Sequence, residues 1–174
     1  MRLFLIGYMG CGKSSMGRKI ARRLGAEFID TDALVERTEG AEIADIINYE
    51  GEEYFRECER RALEQAAEHP DAVISTGGGL PMWRDNMERV LSLGLSVYIR
   101  RSPEQIMSRL SPYGRHKRPK FRGLDDEQLL AFMRTNMAER EPVYSRANVT
   151  LDCGGRSDDE LMDEIMEMMR KPLN

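Results

Sequence analysis

The sequence predicts a three-layer α/β fold: a five-stranded parallel sheet, helices on both faces, and a mobile lid. Three observations predict it. Short apolar runs alternate with longer helical stretches, the order that βαβ units produce. A glycine-rich turn ending in Lys13-Ser14 joins the first apolar run to the first helix. The 174 residues suit one domain with a small inserted lid. Residues 1–174 therefore read as a single domain, with a helical segment at about 32–60 and a lid at about 111–123.

The elements follow in order. Residues 2–6 are the first strand and 13–24 the first helix, with Met16, Ile20 and Leu24 four apart on one face. Residues 27–29 form a short second strand, then 32–37 and 41–49 short helices. A longer helix over 51–68 stops at His69-Pro70, because the residue before proline avoids the α region. Residues 72–75 are the third strand, running into Thr76-Gly77-Gly78-Gly79. Pro81 suits the first turn of a helix over 81–91. Residues 95–99 are the fourth strand, and Ser102-Pro103-Glu104 starts a helix over 104–110. Pro, Gly and bases break the pattern at 111–123. A helix over 125–140 follows, then a fifth strand at 148–151. Ser157 with Glu160 forms a capping box for a last helix reaching about Arg170.

Composition narrows the function. No apolar run approaches the length of a membrane span. The first residues lack the apolar length and cleavage site of a secretory signal. The net charge of −4 argues against a nucleic-acid binder. Cys11, Cys58 and Cys153 are odd in number and lack metal-like spacing, which fits free thiols in a reducing cytoplasm. The twelve methionines read as core filler.

In parallel sheets the chemistry lies outside the carboxyl ends of the strands. After the first strand stands Gly7-Tyr8-Met9-Gly10-Cys11-Gly12-Lys13-Ser14-Ser15, which matches G-x-x-x-x-G-K-[ST] between strand and helix. Glycines let backbone N–H groups wrap an anion, and the helix adds its positive dipole end. Gly10, Cys11, Gly12, Lys13, Ser14 and Ser15 thus read as a loop that binds a nucleoside triphosphate. Lys13 faces the β- and γ-phosphates, and Ser14 ligates Mg²⁺.

Past the second strand, Asp30 and Asp32 place two carboxylates on one side of the chain. One can hold a metal's water shell and the other a substrate hydroxyl. The competing reading is a plain helix cap. The third strand ends in Ser75-Thr76 with no acidic residue, so Asp30 is the candidate for the metal shell. Gly77–Gly79 put bare backbone beside something that needs close approach.

Arg56 and Glu59 share a helix face. They form either a surface ion pair or a carboxylate grip in which Glu59 orients Arg56. Residues 115–122 are crowded with bases. A solvated run, a nucleic-acid patch and a phosphate-covering lid compete there. The acidic chain and the candidate hinges Gly114 and Gly123 favour a lid whose arginine neutralises a transferring phosphoryl group. His116 reads as an exposed lid residue. Arg140 either reaches back to the site or pairs with a carboxylate.

Together the phosphate loop, Phe28–Asp32, the run Gly51–Arg56 with Glu59, Ile74–Gly79, Arg118-Pro119, and Arg140 with Tyr144 resemble the shikimate kinase family. The match covers Gly7 to about Ala147 in the family's order. The resemblance implies a P-loop kinase fold and transfer of the γ-phosphoryl of ATP to the 3-hydroxyl of shikimate, towards chorismate and the aromatic amino acids. It implies a monomer, and with the readings above it gives a cytoplasmic enzyme that uses Mg²⁺ and binds neither nucleic acid nor membrane. By the same resemblance Asp32 binds the shikimate hydroxyls and Asp30 belongs to the metal shell. Arg56 and Arg140 hold the shikimate carboxylate, Gly78 contacts the substrate, Arg118 contacts the ATP phosphates, and Arg109 is assigned to adenine. Lys13, Asp32 and Arg118 form the catalytic set. Two departures stand out: the family's Arg-Pro-Leu-Leu is here Arg118-Pro119-Lys120-Phe121, and Ser15 replaces a common threonine. The alternatives are another small P-loop kinase, such as one acting on gluconate, and a non-catalytic ATP-binding module.

Overall fold

The computed structural model describes residues 1–170, so the last four residues of the expected domain lie outside the described residues. The apolar runs become five parallel strands: β1 (Arg2–Ile6), β2 (Glu27–Asp30), β3 (Ala72–Ser75), β4 (Leu95–Arg100) and β5 (Val149–Asp152). They lie in the order β2-β3-β1-β4-β5. Leu5 pairs with Ser75 on one side of β1 and with Val97 on the other. The strand carrying the phosphate loop is therefore central, and its loop opens at the middle of the carboxyl edge, where parallel sheets bind ligands.

Strand alternation splits the core in two. Leu3 and Leu5 join a cluster with Met16 and Ile20 of α1 (Lys13–Leu24) and Leu161 and Ile165 of α9 (Asp158–Arg170). Phe4 joins the opposite cluster with Leu34 of α2 (Thr31–Glu39), Ile46 of α3 (Ile43–Glu50) and Leu63 of α4 (Glu52–Ala67). Period-two side chains thus hold helices on both faces. Met16, Met87, Met133 and Met162 are buried in the first cluster, as core filler should be. All three cysteines are free and buried. No helix among the described residues is long and apolar enough to cross a membrane.

The expected helix over 81–91 is corrected. A 3₁₀ turn at Leu80–Met82 stops, Arg84 takes φ 48°, and α5 begins only at Asn86 (Asn86–Leu93). The cause is Asn86. Its buried side-chain amide donates to the Leu80 carbonyl at 2.8 Å and accepts from Arg60 at 2.7 Å, which fixes the break.

After α6 (Pro103–Arg109), the lid region folds into α7 (Pro112–His116) and a 3₁₀ turn at Pro119–Phe121. Phe121 is buried, edge-on to Phe132 at 6.2 Å. Gly123 has φ +76°, the left-handed conformation that favours glycine, with open space around it. Gly114 instead sits inside α7, where a β-carbon would lie 3.3 Å from the Arg118 guanidinium. His116 is exposed. Helix α8 (Asp126–Tyr144) runs past the expected end at Arg140, carrying Pro142 in its last turn.

Gly17 tests the packing of α1. Alanine in place of a mid-helix glycine ordinarily stabilises by about 0.5–1 kcal/mol. Here a β-carbon would lie 2.6 Å from Phe28 Cε2 and 3.2 Å from Leu5 Cδ1. Overpacking costs about 1–3 kcal/mol, so the clash wins. Gly17→Ala should lower Tm by at least about 2 °C in a chain of this size. A raised Tm would mean that Phe28 yields freely.

Candidate active site

The cup is built first from backbone. Gly10 (φ 80°) and Gly12 (φ 97°) adopt the left-handed conformation that turns the chain sharply before α1. Gly12 caps α1 without a side-chain acceptor, which leaves the first-turn amides able to serve an anion. Lys13 is buried, and its Nζ donates to the carbonyls of Gly7 (2.8 Å) and Tyr8 (2.9 Å). Cys11 is buried beside it, with Sγ 3.8 Å from Nζ. Ser15 stands exposed on the first turn of α1.

Asp30 serves two elements with two oxygens. Oδ1 caps α2, accepting from the amides of Asp32 (3.1 Å) and Ala33 (3.3 Å). Oδ2 turns to the phosphate loop and accepts from Ser14 Oγ at 2.5 Å. Ser75 Oγ lies 3.2 Å from the same hydroxyl. Ser14, Asp30 and Ser75 form a set of hard oxygen donors that suits Mg²⁺.

The glycine triplet acts through space, not conformation. None of Gly77, Gly78 and Gly79 has a positive φ. A β-carbon on Gly77 would meet Asp32 Oδ1 and lie 2.9 Å from Glu59 Oε1. One on Gly78 would lie 3.3 Å from Arg140 Nη1, and one on Gly79 would meet Arg56 Nη1. Three consecutive bare residues thus bring a carboxylate and two guanidiniums to one strip of backbone. Gly77 is itself held by Thr31, whose Oγ1 accepts from its amide at 2.9 Å.

Arg56 and Glu59 are not a surface pair. Glu59 is 1% exposed and accepts from Arg56 Nη1 at 2.5 Å. Removing one partner of such a buried pair costs about 3–5 kcal/mol, so the guanidinium is firmly placed. Arg140, also buried, lies over the Tyr8 ring at 5.4 Å and donates to Tyr144 Oη at 3.3 Å. Tyr144 in turn donates to the Gly78 carbonyl at 2.5 Å. Arg118 is half-buried in the lid, with Nη1 donating to the Gly114 carbonyl at 2.5 Å. Burial lowers its affinity for a proton, while Asp32 and Cys11 oppose that shift. The lid arginine therefore stands within electrostatic reach of Asp32.

Asp32 lies where these fields meet. Burial first, then the neighbouring Glu59 and Asp30 carboxylates, push its pKa up to about 7, with Lys13 opposing. A carboxyl held there can take a proton near neutral pH.

Some polar partners had no place in the sequence assignments. Arg101, buried, donates from Nε to the Cys11 carbonyl at 2.9 Å and from Nη2 to Asp158 at 3.0 Å. Arg109, assigned to adenine, stands beside Gly12 and also pairs with Asp158 at 3.2 Å. Arg101 and Asp158 are far apart in sequence and carry no motif, so local spacing held no signal for them. Tyr144 did carry one: it lies four residues beyond Arg140 on the same helix face.

A phosphate cradle at the centre of a parallel sheet, an acidic strand tip beside it and an arginine-bearing lid define a P-loop phosphotransferase. Comparison makes the assignment particular. The family model described as shikimate kinase matches residues 9–170. A shikimate kinase of Parabacteroides distasonis is 41% identical over 151 residues, covering 87% of this chain and 87% of that protein. The crystal structure of shikimate kinase from Bacteroides thetaiotaomicron superposes with a TM-score of 0.90 at 32% identity, covering 98% of this chain and 99% of that one. The enzyme from Acinetobacter baumannii, solved in complex with shikimate, gives a TM-score of 0.86 at 31% identity, covering 97% and 92%. This chain belongs to the shikimate kinase family.

The raised Asp32 pKa has a consequence for stability. Between pH 3.8 and about 7 the folded chain holds a proton that the unfolded chain releases. Stability contributed by this group therefore falls as pH rises through that window. Asp32→Asn should raise Tm by at least about 2 °C at about pH 8 and leave it nearly unchanged at about pH 4. Equal melting of the two proteins at the higher pH would contradict the burial of charge at this position.

Proposed function

We infer that this protein transfers the γ-phosphoryl group of ATP to the 3-hydroxyl of shikimate, giving shikimate 3-phosphate and ADP. The observation that carries the reading is the convergence of Asp32, Arg140 and Arg56 on Gly77–Gly79, beside the cradle of Gly10–Ser14. That strip presents two cations for a carboxylate and one anion for hydroxyls, which is the chemistry of a small polyol acid. Gly78 supplies backbone contact between them. Family membership supports the same acceptor.

Phosphoryl transfer asks the protein for positioning and charge stabilisation more than covalent chemistry. The loop Gly10, Cys11, Gly12, Ser14 and Ser15 holds the ATP phosphates, and Lys13 and Arg118 neutralise the group in transfer. Arg56, oriented by Glu59, and Arg140, supported by Tyr144, fix the acceptor carboxylate. Asp32 accepts a hydrogen bond from the attacking hydroxyl and receives its proton as the oxygen bonds to the γ-phosphorus and the bond to the β-phosphate oxygen breaks. Mg²⁺, when bound, offsets phosphate charge; Ser14 and, through water, Asp30 would hold it. Residues 32–60 serve as the acceptor segment and 111–123 as the closing lid of one domain. We take the enzyme to act as a cytoplasmic monomer, with ATP and shikimate rather than nucleic acid or membrane as partners. Its three free thiols support the reducing compartment.

The test is ADP release with shikimate and with gluconate as acceptors. Shikimate should accelerate release and gluconate should not. Activity on gluconate alone would overturn the acceptor, and ATP binding with neither acceptor active would leave a binding module. Asp32→Asn should lower turnover at least about a hundredfold while ATP still binds, the range of a positioned acid–base group.

A further inference from the structure

Asp158 occupies a position that capping does not explain. It is the first residue of α9, yet that helix is capped by its neighbours. Ser157 Oγ accepts from the Glu160 amide at 3.3 Å, and Glu160 returns the contact to the Ser157 amide at 2.8 Å. The Asp158 carboxylate is thereby released to face the phosphate loop. Its Oδ1 accepts from Arg101 Nη2 at 3.0 Å and its Oδ2 from Arg109 Nη2 at 3.2 Å. Arg101 is 5% exposed, and its Nε holds the Cys11 carbonyl. The Arg109 guanidinium stands over the loop, with Nη2 only 3.2 Å from where a β-carbon of Gly12 would lie. One carboxylate thus joins the guanidinium that holds the Cys11 carbonyl to the guanidinium beside Gly12. The adjacent Asp159 turns away, to an exposed pair with Arg23.

We propose that Asp158 is a positioning residue of the nucleotide side: through Arg101 it fixes the loop at Cys11, and through Arg109 it holds a guanidinium against the nucleotide seated on Gly12. The proposal rests on the reading that Gly10–Ser14 holds ATP. Asparagine at 158 keeps the shape and removes the charge. Arg101 then keeps the Cys11 carbonyl but loses its counter-charge in a buried place, and Arg109 is freed to leave the loop. These are charge-assisted hydrogen bonds on the nucleotide side, so the loss should be read on nucleotide and not on acceptor.

Asp158→Asn should weaken ADP binding by calorimetry about tenfold or more and raise the KM for ATP in parallel. The KM for shikimate should stay within about twofold, the scatter expected of a site whose own contacts are intact. Asp158→Glu should recover part of the ADP affinity, and Asp159→Asn should change neither constant. Equal rises in both KM values, or an unchanged ADP affinity in a folded Asp158→Asn protein, would overturn the proposal. Should that variant melt below the assay temperature, Arg109→Lys carries the same expectation, because lysine keeps the charge and loses the forked contact. Unchanged ADP affinity there would count equally against it. Failure of the unaltered enzyme to bind ADP would instead remove the nucleotide reading on which the proposal stands.

Discussion

The site depends on a steric constraint: a side chain on Gly77, Gly78 or Gly79 would crowd a charged group of the site. Each of the three faces a different charged group, from three separate elements. Asp32 comes from α2, Arg56 with Glu59 from α4, and Arg140 from α8. Side chains that start on helices so far apart in sequence can converge only where the backbone between them is bare. The extension of α8 to Tyr144 completes the arrangement, since its hydroxyl ties that helix to the Gly78 carbonyl.

The same convergence concentrates charge away from water. Glu59 is buried against Arg56, and Asp32 lies close enough to Glu59 and Asp30 for each to resist its ionisation. Uncompensated burial of this kind costs stability, and functional sites commonly carry that cost. The compensation is local. Lys13 and Arg118 oppose the charge of Asp32, and Arg56 and Arg140 oppose that of Glu59. A cleft of alternating sign results, and it suits two anions that must meet.

Much of this was legible in the chain, for identifiable reasons. The phosphate loop obeys a fixed spacing because a nest of amides has one geometry, and the strand runs are apolar because both faces of the sheet are covered. Asp30 was read as either cap or metal-side group; its two oxygens divide between the α2 amides and Ser14. Arg56 and Glu59 stood open between surface pair and grip, and only burial, which spacing cannot give, separates the two. The break before α5 was invisible because Arg84 carries no turn signal and the cause lies in the tertiary contacts of Asn86. The Arg101–Asp158–Arg109 cluster was invisible because its members meet only after the last helix has docked.

The bare strip at Gly77–Gly79 is tested most directly at its last residue. Gly79 has φ −88° and ψ −15°, so alanine meets no backbone objection there, and the β-carbon would strike only the guanidinium of Arg56. Calorimetry of Gly79→Ala should show shikimate binding weakened about tenfold or more, the loss of a charge-assisted contact, with ATP affinity retained. Undiminished shikimate binding in the folded variant would contradict the account.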